Sequence, residues 1–414
     1  MKRFFWICAW IALVTPQPAR AQETASSVLP LEAVLLELVE RNPELKAARA
    51  AVAASKERIP QAQAFDDPEF GLMQWSIPPN GDWFRANETW YSLSQRFPFF
   101  GKREKRGRIA ALDLRMSEES LHGLERRIVA QAKMAYYDLF LARETIEIHH
   151  EQVALSQRFA AAAAEQFSTG AAGQQDVLRA QMEMLDLSNT IESLLQFQEE
   201  AAGRVNRLLD RPLDAPLGLT EVPSIPEHPP TLDRLQAAAE RSRPEHRAEA
   251  LAIEQNDETI ALAKTAFLPD FMAEVSYWDV HGGENRWMTS FRINLPWLNK
   301  ATHEARIREA VAERRRAESS YRAAVNETRF QVQSLYIAFE ASRRLARLYE
   351  DGLLPLAEQA QEAALIGYAT RKNDFLTLID TQKRLREMRL AYLSALVALN
   401  KNLAELELLS GEPY

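Results

Sequence analysis

The chain carries its own pattern twice, and this duplication limits the folds that it can adopt. Five matched pairs follow one another in the same order, the second member 201 residues after the first, or 198 in one case. The pairs are Pro43 and Pro244, Pro68 and Pro269, Pro98 and Pro296, Thr169 and Thr370, and Gln181 and Gln382. An ordered set of this kind indicates an internal repeat, so the fold must consist of two similar units.

Each copy is predicted to run helix, two strands, helix, tip and helix. After Lys102 no proline occurs before Pro212, and apolar residues keep a helical spacing up to about Phe167. Such a helix would be roughly 100 Å long at 1.5 Å per residue. It is too long for a globular core and implies a coiled-coil or helical-barrel partner. In the second copy, Gly352 and Pro355 predict a kink or break.

The N-terminal residues predict the compartment. Lys2 and Arg3 are followed by an apolar run at 4–14, and Ala19-Arg20-Ala21 fits a small-residue cleavage site. We interpret residues 1–21 as a signal peptide. The alternative, a membrane anchor, would need roughly 20 apolar residues. The single cysteine, Cys8, lies in this run, so the mature protein is expected to have no disulfide and no lipid-carrying cysteine.

Composition argues against several functions. The net charge is -8, and basic clusters interleaved with aromatic residues are missing, so no nucleic-acid partner is expected. No later apolar run is long enough for a membrane-spanning helix. His149 and His150 are adjacent, and neighbours on a helix point about 100° apart, which suits a shared metal ion poorly. We predict no catalytic residues, no metal site and no cofactor.

Four segments have the alternation of β-strands, at about 69–78, 88–97, 270–280 and 286–295. Apolar and polar residues alternate from Thr89 to Phe97, from Phe271 to Tyr277 and from Trp287 to Leu295, whereas the first segment is assigned by the repeat alone. About ten alternating residues suit a tilted strand between lipid and a wet lumen, and equally a soluble hairpin.

Tryptophan placement favours the membrane. Every tryptophan of the mature chain lies in or beside the four strands: Trp75, Trp83, Trp90, Trp278, Trp287 and Trp297. Aromatic girdles at the two membrane interfaces would explain this clustering. Four strands cannot close a barrel, and an open edge in lipid leaves backbone groups unpaired. Three copies would supply twelve strands and a lumen, so a homotrimer is predicted.

A basic run follows the second strand. It comprises Lys102, Arg103, Lys105, Arg106 and Arg108, of which Lys102, Arg103 and Arg106 are the candidates for contact with lipid phosphates. The run is either a solvated helix face or a contact with lipid phosphates. Cations at a helix N-terminus oppose the helix dipole, and phosphates would offset that cost, so we favour lipid contact.

The chain resembles the TolC family of outer-membrane efflux proteins over essentially the whole mature sequence. The resemblance rests on the duplicated plan, on FPFFGK at 97–102 and on DFLTLIDTQ at 374–382, which look most like the heavy-metal branch. It implies a mainly α protein with membrane β-hairpins, in which a trimer forms a 12-stranded β-barrel continued by a long periplasmic α-helical barrel. The repeats would span 22–210 and 231–410, joined by a Pro-rich linker at 211–230.

The resemblance also implies a gate at the periplasmic tips. Asp176, Tyr368 and Asp380 match family gate positions, whereas Asn373 and Thr377 stand where an arginine and a second aspartate are expected. Arg371 is a candidate replacement for the arginine. Since a carboxylate is favourable at a helix N-terminus, Asp176 is either a simple cap or part of the gate.

The function implied is that of an outer-membrane exit duct in a tripartite efflux pump, which is not an enzyme. Its partners would be a periplasmic membrane-fusion adaptor, an inner-membrane pump of the RND type and outer-membrane lipid. The alternatives are the exit channel of a type I secretion system and a soluble periplasmic coiled-coil adaptor or scaffold. The duct carries what the pump delivers, so the sequence does not identify the cargo beyond possible heavy-metal cations.

Overall fold

A computed structural model describes residues 28–77, 79, 81, 83, 86–168, 173–370 and 372–414. The predicted signal peptide at 1–21, with Cys8, lies outside these residues. The first copy comprises β1 (Val28–Leu29), α1 (Leu31–Arg41), α2 (Pro43–Gln63), β2 (Glu69–Trp75), β3 (Glu88–Phe97), α3 (Lys102–Ser168) and α4 (Gln174–Leu208). The second comprises β4 (Leu219–Thr220), α5 (Leu232–Ser242), α6 (Pro244–Thr265), β5 (Phe271–Val280), β6 (Arg286–Ile293), α7 (Lys300–Leu348), α8 (Leu354–Ala369) and α9 (Phe375–Ser410).

The two copies repeat the same order of elements, which confirms the duplicated, mainly α fold with two β-hairpins. Each has a pair of helices, a hairpin, a long rod and a returning helix. The four larger strands lie within the predicted ranges, three of which were expected from alternation and the first from the repeat. None of the described helices has a stretch apolar and long enough to cross a bilayer.

The first rod is α3, a single helix of 67 residues from Lys102 to Ser168. The uninterrupted helix was predicted from the missing prolines. It packs against α2, α4, α6 and α9, which makes it the centre of the chain. Its fully buried residues include Tyr136, Leu139 and Phe140.

The second rod consists of α7, a five-residue π-helical turn at Tyr349–Leu353, and α8. The kink or break expected at Gly352 and Pro355 therefore takes the form of a π turn, and the helical path continues to Ala369. A π turn accommodates the proline because its carbonyl pairing reaches one residue further than in an α-helix.

The linker at 211–230 is tied to the helices. Its Leu219–Thr220 forms a short parallel ladder with Val28–Leu29. The Tyr136 hydroxyl donates to the Leu29 carbonyl at 2.8 Å and accepts from the Glu221 amide at 2.7 Å. Arg143 donates to the carbonyls of Leu217 and Gly218. These contacts fix the linker against the middle of the first rod.

The four larger strands form one antiparallel sheet in the order β2-β3-β5-β6. The central pairing joins the two copies, with Phe97 opposite Phe271 and Glu88 opposite Val280. Among the described strands, β2 and β6 have one neighbour each, so both edges of the sheet are open in the single chain.

Candidate functional site: the open sheet and the helical tips

The strand register gathers the apolar side chains on one face of the sheet. Residues directly opposite each other in antiparallel strands point to the same face. One row contains Leu72, Tyr91, Tyr277 and Trp287, and the next contains Phe70, Leu93 and Val275. Most of this face is exposed in the single chain, with Phe291 84% and Trp287 73% exposed. We call it the apolar face.

The opposite face is polar near its centre. Ser92 lies opposite Ser276, and Ser94 lies opposite Glu274. Ser94 and Ser276 are buried, and Arg292 forms an ion pair with Glu274 on the neighbouring strand. Sequence alternation indicated polar residues here, whereas the cross-strand ion pair required the register. We call this the polar face.

The tryptophans are divided between the two faces. Trp287 lies on the apolar face, and Trp297 follows β6 in a short 3-10 turn at Pro296–Asn299. Trp90 and Trp278 lie opposite each other on the polar face and stack with ring centroids 5.6 Å apart. Trp75 shares that face through its register with Glu88. The predicted girdle of six tryptophans therefore does not lie on one face of the sheet, because Trp75, Trp90 and Trp278 lie on the polar face.

Lys102 does not lie on a lipid-accessible surface, contrary to the sequence expectation. It is 7% exposed, and its ammonium lies 2.7 Å from the Asp270 carboxylate. It also donates to the Leu268 carbonyl at 2.9 Å, while the Phe99 amide donates to Asp270 at 2.8 Å. The reason is the pairing of β3 with β5, which brings Asp270 of the second copy to the start of α3.

Arg103 and Arg106 lie differently. The Arg103 guanidinium stacks 3.5 Å from the centre of the Phe65 ring and donates to the Gln63 carbonyl. Phe65 contacts Phe97 on the apolar face, so Arg103 lies at the lower margin of that face. Arg106 is exposed.

The tips of α3, α4, α8 and α9 meet in one apolar cluster, to which α8 contributes Ala364. Phe159 and Ala163 of α3 pack with Ala180 of α4 and with Phe375 and Leu378 of α9. This cluster holds the two helix turns of the chain side by side, although their connecting residues are far apart in sequence.

Asp176 and Tyr368 are close together at these tips. The charge of Asp176, after the larger effect of burial, raises the pKa of the Tyr368 hydroxyl. The Tyr368 ring lies edge-on to Phe375 at 5.6 Å. The backbone of Gly173, and no side chain, caps α4, so Asp176 in the first turn is not its N-cap residue.

The second tip contains a carboxylate that sequence reasoning did not assign. Asp374 caps α9, accepting from the Thr377 amide at 2.9 Å and from its hydroxyl. These hydrogen bonds lower the pKa of Asp374. The aspartate three residues before Thr377, at the start of an apolar helix, was the available signal. It also explains the threonine at a position where the family resemblance suggested an aspartate.

Asp380 is exposed and lies 3.4 Å from Arg384 on its own helix. Arg371 lies outside the described residues. Over the described parts of the chain, no group of three or more His, Cys, Asp or Glu side chains is placed to hold a metal ion. The described residues thus form one amphipathic sheet joined to long helical rods, whose turns carry Asp176, Asp374 and Asp380.

This architecture is a duplicated set of long helical rods that carries one amphipathic sheet. Known proteins are similar to the chain in sequence or in fold. A search of curated proteins finds the cobalt-zinc-cadmium resistance protein CzcC of Cupriavidus metallidurans, 24% identical over 405 residues, covering 93% of this chain and 94% of that protein. The crystal structure of VceC from Vibrio cholerae matches with a TM-score of 0.76 and 16% identity over 92% of this chain and 96% of VceC. The structure of CusC matches with a TM-score of 0.77 and 16% identity over 92% and 91%.

The model of the outer membrane efflux protein family matches residues 34–209 and 235–412. The chain belongs to this family. It is therefore an efflux channel of the outer membrane that extends into the periplasm, a passive conduit and not an enzyme, and it works with an adaptor and an inner-membrane pump. The family excludes the soluble adaptor or scaffold considered from sequence.

Proposed function

We propose that three copies of this chain close a 12-stranded barrel and form the exit duct for heavy-metal cations. Trimerisation is supported by the two open sheet edges, because unpaired backbone groups in lipid cost several kcal/mol each. The apolar face would contact lipid and the polar face would line the lumen. Detergent-extracted protein is expected to have the mass of a trimer by light scattering, and a monomer would contradict this part.

The lipid contacts follow from the same orientation. Trp287 and Trp297 are exposed and suited to the membrane interfaces, and Trp83 is exposed as well. Arg103 and Arg106 remain candidates for phosphate contact, whereas Lys102 does not. Tryptophan fluorescence tests this assignment: brominated lipids should quench Trp287 and leave Trp90 unquenched in single-tryptophan variants.

The proposed substrate rests on one observation, the nearly full-length similarity to CzcC. We therefore favour a pump of the RND type and divalent cobalt, zinc or cadmium as its substrates. A deletion strain is expected to lose growth in these metals and to regain it with the plasmid-borne gene. Unchanged metal tolerance with increased sensitivity to drugs would contradict the metal assignment. Loss of an exported polypeptide would instead favour the type I secretion channel.

The gate is assigned to Asp176, Tyr368, Arg371 and Asp380 at the tips. Asp380 is exposed, so its carboxylate is available to attract cations near the passage. Asp380→Asn is expected to reduce cation preference, measured as a smaller reversal potential across a salt gradient in planar bilayers. Glu362→Gln removes a charge from α8 as a matched control. An unchanged reversal potential in Asp380→Asn would remove this residue from the gate.

A further inference from the structure

The contact between the two halves of the chain at the base of the sheet has defined chemistry. The Lys102 ammonium, at the start of the first rod, is held by the Asp270 carboxylate and the Leu268 carbonyl. This buried contact joins the end of β3 in the first copy to the beginning of β5 in the second. This ion pair and hydrogen bond connect the two repeats at the base of the sheet.

The repeat places the same two groups at the open edges. Lys300 is the counterpart of Lys102, and Glu69 is the counterpart of Asp270. Lys300 follows β6, and Glu69 begins β2, so the cation and the carboxylate lie on opposite edges of one chain. The Lys300 side chain is 73% exposed and reaches only Glu304 of its own helix, at 3.5 Å. Glu69 is exposed.

The helices below the sheet show the same asymmetry. The first rod packs against α4 of its own copy and against α9 of the other copy. Repeating that arrangement would set the second rod against α9 of its own copy and against α4 of another chain. Both helices expose apolar stripes suited to such a contact, namely Leu178, Met182 and Leu185 on α4 and Phe330, Ile337 and Leu348 on α7.

We propose that the contact between neighbouring copies repeats the contact between the two halves of one chain, with Lys300 paired to Glu69 of the partner subunit. The inference rests on the proposed trimer and specifies its interface. The partner at each open edge is a second chain of the same protein. The two edges carry the complementary charges of a contact that the chain already makes internally. The extra methylene of glutamate lengthens the reach without changing the charge.

Strand pairing between copies follows from the same equivalence. Gln95 lies opposite Ala273 within the chain, and their counterparts are Ile293 and Leu72. We therefore place Ile293 opposite Leu72 of the partner subunit, which keeps both on the apolar face.

A second register for the pairing of β6 with β2 of the partner subunit differs from this one by only two residues, and experiment must distinguish the two. Phe70 lies opposite Leu93 in the first hairpin, whereas Phe271 lies opposite Ile293 in the second. The pairing registers of the two hairpins therefore differ by two residues. A shift of two residues keeps every side chain on the same face of the sheet. If the same two-residue shift occurred at the subunit interface, Ile293 would lie opposite Gln74 of the partner subunit. The proposed ion pair at the base of the sheet favours the pairing of Ile293 with Leu72. Lys300 follows Leu295 by five positions, as Lys102 follows Phe97, so the unshifted register brings Lys300 to Glu69 as Lys102 is brought to Asp270.

Charge reversal tests the ion pair. In detergent-extracted full-length protein, Glu69→Lys and Lys300→Glu should each increase the monomer-to-trimer ratio by about tenfold or more, since removing one partner leaves the other charge buried. The double variant, which restores the pair in reverse, should recover most of the trimer. Reversing Arg234 and Glu412, an exposed pair within one chain, provides the control.

Cross-linking tests the register. With Cys8 replaced by serine, Leu72→Cys combined with Ile293→Cys should give covalent dimers and trimers on non-reducing denaturing gels. Gln74→Cys or Phe70→Cys with Ile293→Cys should give at least about fivefold less product, because opposite residues have the closest Cβ atoms. Preferential cross-linking at Gln74 or Phe70, or a trimer insensitive to the charge reversals, would overturn this interface while leaving the trimer intact. A monomeric wild type would instead contradict the proposed function.

Discussion

The two rods are copies of one pattern, but they have different surroundings. The first rod is an unbroken helix enclosed by four others, and it buries large side chains such as Tyr136 and Phe140. The second rod lies at the margin of the chain and leaves Phe330 and Ile337 exposed. Its path contains a π turn where the first rod is regular. The difference reflects position, because the first rod is surrounded by helices of its own chain, whereas the exposed side of the second rod would be covered only in the proposed trimer.

The largest expected effect comes from truncating the buried side of this comparison. Phe140 is 1% exposed and packs against Leu393 and Val397. Phe140→Ala should lower the free energy of unfolding by about 3–5 kcal/mol, as large-to-small changes in a core do. Ile337→Ala should leave the unfolding of the single chain nearly unchanged and weaken the trimer. Circular dichroism melting in a dissociating detergent and native gels measure the two effects, and equal melting losses would break the comparison.

Glycine-to-alanine substitutions should stabilise the second rod more than the first. A Cβ at Gly107 in the first rod would lie closest to Nε2 of Gln63 and 2.5 Å from its Cγ, so this exposed side chain must move, and Gly107→Ala should gain less than about 0.5 kcal/mol. Gly352 in the π turn has open space around it, and Gly352→Ala should stabilise by about 0.5–1 kcal/mol through backbone entropy. Melting midpoints of the two variants test this. A lower midpoint for Gly352→Ala would mean that the π turn needs glycine.

The smallest effect concerns tyrosine titration. Burial, with the charge of Glu407, raises the pKa of Tyr137 in the first rod to about 12. Burial, with Glu350 of the π turn, raises the pKa of Tyr392 to about 12. Because the folded-state pKa exceeds the unfolded value of about 10, the stability associated with these hydroxyls is complete below pH 10 and is lost as pH rises towards 12.

Absorbance at alkaline pH checks this prediction. Tyr137→Phe and Tyr392→Phe should each remove one tyrosine that titrates near pH 12. If the π turn opens more readily than the first rod, Tyr392 will titrate at lower pH than Tyr137. A wild-type spectrum in which both titrate near the unfolded value would contradict the burial described for these positions.

Much of the fold was predictable because its signals are local. Proline-free helical spacing predicted the first rod, and alternation predicted three of the four strands. The candidate site was predicted less completely. Asp176, Tyr368 and Asp380 were singled out by the family resemblance, but the capping role of Asp374 was missed. Whether these residues gate the passage stays a prediction.

The sequence by itself determined the duplication, the lengths of the elements and the alternation of the sheet, because each depends on residues within a few turns or strands. Only the tertiary structure decided where Lys102 and the tryptophans lie. Lys102 meets Asp270, which lies 168 positions further along the chain, and Trp90 meets Trp278 through a strand pairing between the two copies. Such contacts depend on register and on which elements become neighbours, and neither is encoded in the residue types at either end.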